Sequence, residues 1–312
     1  MPCCSIVKVY AKTLIGKHGV PGRLDAALVT ALGKVLGEEP VIEAVSPLSG
    51  GSINESLKVT LDSGAVYFMK CARGDQHYPS MFELEAEALR MIAASKTVRV
   101  PETHYAGEDC LIQTLFEQTT PAPDWHERLG RQLASMHKAI NNSAFGYRCD
   151  NYLGTSRQRN EWCESWRDFW RERRLEPQIR QLASMLPADD ALLVALNQLS
   201  RRLDHFLADW SEPAAFIHGD LWSGNAAADE SGSPIIFDPA AYFASREAEF
   251  GMMRLFGGFG SRTEAAYQEV WPFEPEAESR IEIYRLYHLI NHLILFGPAY
   301  YTETQMLAKS LL

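Results

Sequence analysis

The chain has 312 residues, of which 46% are hydrophobic and 22% are charged, and its formal net charge is −10. This composition is typical of a folded globular protein and excludes a largely disordered chain. The acidic balance argues against a surface that binds nucleic acid or anionic lipid, so neither partner is expected.

The cysteine pattern and the hydrophobicity profile bear on location. Six cysteines are scattered along the chain without a CxxC pair, which predicts a reduced, cytoplasmic location and no structural zinc. No apolar run reaches the roughly 18 residues of a membrane span. Residues 1–22 lack the features of a targeting peptide, so we interpret them as an N-terminal extension of unknown role, with targeting as the alternative.

The first third of the chain is predicted to be rich in strands. A helix at 25–37 precedes a β-hairpin whose hydrophobic residues alternate on both sides of an Asp-Ser-Gly turn. The S-x-x-E spacing of Ser80 and Glu83 indicates a capping box at the start of a second helix. Two further strands are expected, at 97–106 and 109–116.

The remainder of the chain is predicted to be mainly helical. Asp124 is expected to cap an amphipathic helix, and another helix is expected near 189–209. Between them lies a helix predicted to bury an aromatic stripe of Trp162, Trp166 and Phe169. The pattern predicts an α+β fold with a small β-rich N-lobe at 23–116 and a larger, mainly helical C-lobe at 117–312.

A short hairpin within "FIHGDLWSGNAAADESGSPIIFDPA" carries three candidate site residues, Asp220, Asn225 and Asp238. Antiparallel pairing of "AAA" with "IIF" would bring Asn225 beside Asp238. Their side-chain oxygens are hard ligands of the kind that Mg²⁺ prefers. A carboxylate at Asp220 is suited to accept a hydroxyl proton or to orient the hydroxyl. Because Asp and Asn are also common in turns, a purely structural hairpin is the alternative.

A charge pair is predicted in the N-lobe. Alternation places Lys70 on the same strand face as Val66 and Phe68, so we expect it to point where the strand is apolar. On the helix that follows, Glu85 falls on the apolar stripe, and a buried carboxylate is costly unless it is paired. We therefore predict that Lys70 pairs with Glu85; an edge lysine that reaches water is the alternative.

The loop "SGGSIN" precedes the N-lobe hairpin. Gly50 and Gly51 would allow backbone N–H groups to approach phosphate oxygens, although a glycine pair is more often an ordinary turn. These features follow the order of a kinase-type phosphoryl-transfer site: a glycine loop, a strand lysine, a helix glutamate and a hairpin with carboxylates.

The segments "HGDLWSGN" and "IFDPA" resemble those of the fructosamine kinase (ketosamine 3-kinase) family, within the aminoglycoside phosphotransferase-like branch of the protein-kinase-like fold. "GGSIN", "SKTVRVP" and "LFGGF" are similar as well. The resemblance implies a two-lobed kinase-like fold and transfer of the γ-phosphoryl group of ATP to the 3-hydroxyl of a free or protein-bound ketosamine, which leads to deglycation. Two alternatives stay open: a kinase of the same branch for an aminoglycoside, choline or a similar alcohol, and a catalytically silent nucleotide-binding scaffold.

The resemblance also implies roles for individual residues. Asp220 would be the catalytic aspartate, and Asn225 and Asp238 would bind Mg²⁺. ATP would be bound by eight N-lobe residues: Gly50, Gly51, Ser52, Lys70, Glu85, Gln113, Thr114 and Leu115.

The substrate contacts are the least defined part of the site. Trp222 follows Asp220 by two positions and would be able to stack on a sugar, or it packs the loop. His288 and His292 share one helical face and would bind sugar hydroxyls, or they are polar groups with internal partners. Glu249 stands where the family commonly has an aspartate, which leaves its role open. Ser52 replaces a cysteine that many members carry, so no redox switch is expected at that loop.

Overall fold

The protein, examined as a computed structural model, is described over four ranges: residues 22–48, 53–73, 78–207 and 212–312. The described residues fall into two compact units. The first contains the residues up to Arg90 together with Pro101–Glu117, and the second contains Met91–Val100 and Gln118–Leu312.

A five-stranded antiparallel sheet forms the centre of the first unit. Its strands are β1 (Ile42–Pro47), β2 (Glu55–Leu61), β3 (Val66–Cys71), β4 (Thr103–Ala106) and β5 (Cys110–Thr114). They lie in the order β1-β2-β3-β5-β4. The predicted hairpin is β2–β3, and its turn depends on Gly64, whose φ of 81° favours glycine. Alternate residues of β2 enter the core, so this strand has one buried face.

The helices of this unit within the described residues are α1 (Gly22–Leu36) and α2 (Met81–Ser95). Leu28 and Leu32 of α1 belong to the same buried cluster as the strands. Helix α2 begins close to its predicted start, but the predicted capping box is wrong. Ser80 has a φ of 59° instead of the extended backbone of an N-cap, and Oε2 of Glu83 is buried without a hydrogen bond in the described residues.

The core-facing side of β3 also differs from the prediction. Met69 and Cys71 are buried, whereas Val66, Phe68 and Lys70 lie on the opposite, half-exposed face. The reason is the register with β2: Met69 lies opposite Leu57, so the buried faces of the two strands coincide. Val66 and Phe68 therefore do not mark the core, and Lys70 lies on the face away from it.

The second unit is mainly helical. Its helices are α3 (Trp125–Ala139), α4 (Trp166–Phe169), α5 (Glu176–Ala183), α6 (Ala191–Arg201), α7 (Asp204–Leu207), α8 (Ala248–Met253), α9 (Ser261–Val270), α10 (Ala277–Phe296) and α11 (Tyr301–Ser310). A π-helical turn, Trp170–Leu175, joins α4 to α5. Within the described ranges no helix is both long and apolar enough to cross a membrane.

Three small antiparallel sheets interrupt these helices. The strands are β6 (Asn141–Asn142), β7 (Asn151–Leu153), β8 (Ser156–Gln158), β9 (Ala214–Ile217), β10 (Ala226–Ala228), β11 (Pro234–Ile236) and β12 (Tyr242–Ala244). They pair as β12-β9-β6, β7-β8 and β10-β11. A small antiparallel sheet unit and a mainly helical unit confirm the predicted α+β class.

Two local predictions in the second unit are wrong. Asp124 precedes α3 as expected, but its side chain makes no capping hydrogen bond. Trp162 lies before α4 and is 46% exposed, so it is not part of the buried stripe. Trp166 and Phe169 are buried as predicted, and Nε1 of Trp166 donates to the hydroxyl of Tyr284 at 2.8 Å.

Candidate functional site

The predicted pairing of Lys70 with Glu85 is confirmed. Nζ of Lys70 lies 2.8 Å from Oε2 of Glu85, and the two side chains are only 12% and 7% exposed. Strand β3 is internal to the sheet and fixes Lys70, while Phe82 and Ala86 of α2 pack on Leu111 of β5 and fix the helix. The pair is therefore positioned by packing, since an ion pair with little solvent contact depends on good geometry.

The other predicted nucleotide contacts are only partly described. Gly50, Gly51 and Ser52 lie outside the described residues. Gln113 is buried at the end of β5, and its Nε2 has no hydrogen bond within the described ranges. The last residue of β5, Thr114, has its hydroxyl 2.8 Å from Nε2 of His104. It is followed by the half-buried Leu115.

Asp220 lies on the loop that leaves β9. Gly219, just before it, has a φ of 79°, and a Cβ there would overlap the carbonyl oxygen of Ala240. The buried His218 places Nε2 at 2.9 Å from the carbonyl oxygen of Phe237. Burial lowers the pKa of His218, against the opposing charge of Glu249, so its ring is neutral near pH 7. His218 therefore braces the loop.

Glu249 on α8 holds this loop by its backbone. The fully buried carboxylate accepts the N–H of His218 at 2.6 Å and the N–H of Gly219 at 2.9 Å. Nε2 of His137 lies 3.4 Å from the same carboxylate. Burial disfavours the charge, but the hydrogen bonds and the two histidines outweigh it and lower the pKa of Glu249. The role that the sequence left open is thus to fix the two residues that precede Asp220.

The hairpin brings Asn225 to Asp220 and to the residue before Asp238. Nδ2 of Asn225 donates to the carbonyl oxygen of Asp220 at 2.8 Å and to its Oδ2 at 3.2 Å. The carbonyl oxygen of Asn225 accepts the N–H of Phe237, the residue before Asp238, at 3.0 Å. The predicted pairing of β10 with β11 is confirmed, with Ala226 opposite Ile236.

The side-chain oxygens of Asn225 and Asp238 suit a hard divalent cation. Because Nδ2 of Asn225 is engaged with Asp220, the amide oxygen is the atom suited to bind a cation, together with the carboxylate of Asp238. No group of three or more His, Cys, Asp or Glu side chains in the described ranges is arranged to hold a metal. A cation bound at Asn225 and Asp238 would need further oxygen ligands, such as phosphate and water.

The opposite end of the hairpin is anchored at Asp229. Its Oδ1 accepts the N–H groups of Ser231 and Ser233, and its Oδ2 accepts Nη1 of Arg99 at 2.6 Å. Burial opposes ionisation, but these hydrogen bonds outweigh it and hold the pKa of Asp229 at about 2. The carbonyl oxygen of Arg99 also accepts the N–H of Ile236 at 3.0 Å, so Arg99 contacts the hairpin at two points.

Asp229→Asn is expected to destabilise the protein by about 1–3 kcal/mol, because the amide loses the charge that Arg99 and the turn N–H groups require. Urea unfolding at pH 7 measures this change. Asp62→Asn, in the exposed turn of the first hairpin, is the control and is expected to change the free energy of unfolding by less than about 0.5 kcal/mol. Equal values for the two variants would contradict the anchoring role of Asp229.

Two of the three candidate substrate residues lie in one group of rings. Trp222 packs edge-to-face on Phe256, with centroids 5.9 Å apart, and Phe256 packs on His292 at 4.8 Å. His288 is instead buried, and its Nδ1 has no hydrogen bond in the described residues. The carbonyl oxygen of His288 accepts Nδ1–H of His292 at 2.8 Å.

The burial of His288 is expected to make the free energy of unfolding depend on pH. Burial, with the nearby charges of His292 and Arg174, lowers its pKa from 6.5 to about 3. Below pH 6.5 the unfolded chain binds a proton that the native protein does not, so the free energy of unfolding falls by about 1.4 kcal/mol per pH unit down to about pH 3. Urea unfolding between pH 4 and pH 8 should show a shallower decline for His288→Gln than for the unsubstituted protein. Parallel curves would contradict the buried, neutral state of His288.

Comparisons with known proteins identify the family of the chain. The sequence model of the fructosamine kinase family matches residues 25–312. The chain belongs to the fructosamine kinase family. A probable ketoamine kinase of Synechocystis sp. is 35% identical over 288 residues, covering 90% of this chain and 94% of that protein. The chloroplastic protein-ribulosamine 3-kinase of Arabidopsis thaliana is 36% identical over 269 residues, covering 85% and 81%.

Solved structures agree with the family and its fold. A putative fructosamine-3-kinase of Thermobifida fusca superimposes with a TM-score of 0.80 at 31% identity, covering 92% of this chain and 97% of that one. An aminoglycoside phosphotransferase in a complex with streptomycin and ATP reaches a TM-score of 0.61 at 11% identity, covering 94% and 97%. The second similarity concerns the fold alone. As a member of the fructosamine kinase family, the protein is an ATP-dependent phosphotransferase.

Proposed function

We propose that the protein transfers the γ-phosphoryl group of ATP to the 3-hydroxyl of a ketosamine, free or protein-bound, and so prepares glycated amines for deglycation. The observation that carries the proposal is the arrangement around Asp220, which joins the loop held by Glu249 to the hairpin of Asn225 and Asp238. The relatives named as ketoamine and ribulosamine kinases support the acceptor class.

Asp220 aligns the acceptor hydroxyl and accepts its proton as the phosphoryl group moves. Its backbone is fixed from one side by the Glu249 contacts and from the other by Asn225, so the carboxylate is oriented before the substrate binds. Pre-organisation of this kind lowers the barrier, because no reorientation is needed during the reaction.

The nucleotide is held by residues of the first unit. Lys70, oriented by Glu85, neutralises charge on the phosphates. Gly50, Gly51 and Ser52 cover the phosphates, and the adenine is received by Gln113, Thr114 and Leu115. Asn225 and Asp238 bind Mg²⁺, which offsets the negative charge of the phosphate oxygens when it is present.

The acceptor side is assigned to the second unit. Trp222 stacks on the sugar, and the half-buried His292 provides a polar contact, while the buried His288 holds His292 through its carbonyl oxygen. The free cysteines among the described residues, Cys71, Cys110, Cys149 and Cys163, suit a reducing compartment, and we place the reaction in the cytoplasm.

The test is ADP release from MgATP with fructoselysine, a ribulosamine, choline and an aminoglycoside as separate acceptors. Turnover confined to the two ketosamines supports the proposal. Turnover of choline or of the aminoglycoside would assign the protein to another acceptor class. ATP binding without turnover of any acceptor would instead support a silent nucleotide-binding scaffold.

A further inference from the structure

A row of aromatic rings lies on the surface of the second unit, and we call it the aromatic strip. Its members are Trp222, Phe256, His292, Phe296 and Tyr300. Neighbouring ring centroids are 5.9 Å apart for Trp222 and Phe256, 4.8 Å for Phe256 and His292, and 5.2 Å for His292 and Tyr300. Phe296 lies 5.3 Å from His292. The rings therefore form one continuous surface.

The strip is unusual because it is open to solvent. Phe256 and Phe296 are 41% and 48% exposed, and the other three rings are half-buried. Single exposed apolar side chains are common, but contiguous exposed rings indicate a binding surface. The strip carries no positive charge near pH 7, because burial lowers the pKa of His292 and leaves its imidazole neutral.

The strip begins at the loop that carries Asp220. The ring of Trp222 lies against Gly224, where a Cβ would overlap it. Gly258 has a φ of 91°, and a Cβ there would overlap the side chain of Ser223, the residue after Trp222. The contact of Gly258 with Ser223 therefore fixes the loop of Trp222 and the loop of Phe256 to each other. From Phe256 the strip continues to one end of α10 and the turn that follows it.

The chemistry of the acceptor matches this surface. A ketosamine joins its sugar to a secondary amine, which is protonated near neutral pH because aliphatic amines of this kind titrate at about pH 8 or above. Aromatic ring faces attract cations and pack well against methylene chains. When the sugar hydroxyl lies at Asp220, the amine and the chain attached to it must extend away from Asp220 over a neighbouring surface of the protein.

We propose that the aromatic strip binds the amine-bearing arm of the acceptor, with the cationic nitrogen at Trp222 and an extended alkyl or lysyl chain over Phe256 and Phe296. The inference rests on the proposed function and adds a preference within it. Ketosamines formed on lysine-like amines, in peptides or proteins, are better substrates than those formed on small amines.

The test compares two acceptors that share one sugar, the fructose adduct of methylamine and the fructose adduct of the ε-amine of Nα-acetyl-lysine. Phe296→Ala is expected to raise KM for the lysine adduct about tenfold and to leave its kcat unchanged. Both parameters for the methylamine adduct should stay within about twofold. Phe296→Tyr keeps the ring and should restore KM for the lysine adduct.

Trp162→Ala is the matched control, since Trp162 is 46% exposed and outside the strip. Equal effects of the strip variants on both adducts, or no effect on either, would overturn the strip as the site of the arm while leaving the kinase activity in place. Absence of turnover of both adducts by the unsubstituted protein would overturn the strip and the proposed function together. Thermal unfolding of each variant separates these results from loss of the fold.

Discussion

Asp220→Asn is expected to lower kcat by about 10³-fold or more while the Kd for ATP changes by less than about threefold. The amide cannot accept the proton of the acceptor hydroxyl, and positioned general bases contribute about 10²–10⁴-fold. We expect ATP affinity to be retained because, in the proposed mechanism, the phosphates are bound by Lys70, which pairs with Glu85. Coupled ADP release gives kcat, and calorimetric titration with a non-hydrolysable ATP analogue gives the affinity.

The same substitution at Asp124 is the control for Asp220→Asn. Asp124 is exposed, and its side chain makes no capping hydrogen bond, so Asp124→Asn should keep kcat within about twofold. Unchanged turnover in Asp220→Asn would remove Asp220 from the mechanism. A parallel loss of ATP affinity would indicate instead that the variant disturbs the hairpin through Asn225.

Glu249→Gln is expected to destabilise the protein by about 3 kcal/mol and to lower kcat by about 10–100-fold. The carboxylate accepts the N–H groups of His218 and Gly219 with its two oxygens, whereas an amide offers one acceptor and turns its NH₂ group toward the other donor. Because those N–H groups precede Asp220 directly, the loss reaches the proposed catalytic carboxylate. Urea unfolding and steady-state kinetics measure the two effects.

The pH dependence separates this role of Glu249 from simple packing. Its folded-state pKa lies below the ordinary value, so its contribution to stability is present above about pH 4.5 and is lost as the pH falls toward the folded-state pKa. Glu249→Gln should therefore flatten the acid limb of the stability curve. Glu269→Gln, in an exposed pair with Arg131, is the control and should cost less than about 1 kcal/mol. A curve for Glu249→Gln parallel to that of the unsubstituted protein would contradict the ionised state of Glu249.

Periodicity was sufficient to predict the parts of the site that lie within one element or two adjacent ones. Glu85 falls on the inward stripe of its helix, as helical periodicity predicts, and it pairs with Lys70 15 positions earlier, although Lys70 lies on the strand face opposite Met69 and Cys71. The hairpin that joins Asn225 to the end of β11 has a short apolar run on each side of a polar turn, which is typical of two paired strands.

The features that sequence reasoning missed depend on partners far along the chain. Arg99 and Asp229 are 130 positions apart, and His137 lies 112 positions from Glu249. The local sequence of Glu249 carries one usable signal, a carboxylate within a helix whose other positions are all apolar or glycine, which predicts a buried partner but not its identity.

The local errors have physical causes of the same kind. Ser80 matched a capping pattern, but its backbone has a positive φ that the capping geometry does not allow. The buried face of β3 is set by its register with β2, and two alternating apolar sets on one strand do not distinguish the faces. Trp162 has the spacing of the stripe but precedes the helix, because α4 begins only at Trp166.

The most direct test of the central claim is to incubate the protein with MgATP and fructoselysine and to determine the product by phosphorus NMR and mass spectrometry. We expect one new phosphate ester on the oxygen at carbon 3 of the sugar, formed by the unsubstituted protein and absent with Asp220→Asn. A phosphate at another hydroxyl, or on the amine, would contradict the proposed acceptor geometry. An unmodified fructoselysine, with ATP still bound, would contradict the proposed activity itself.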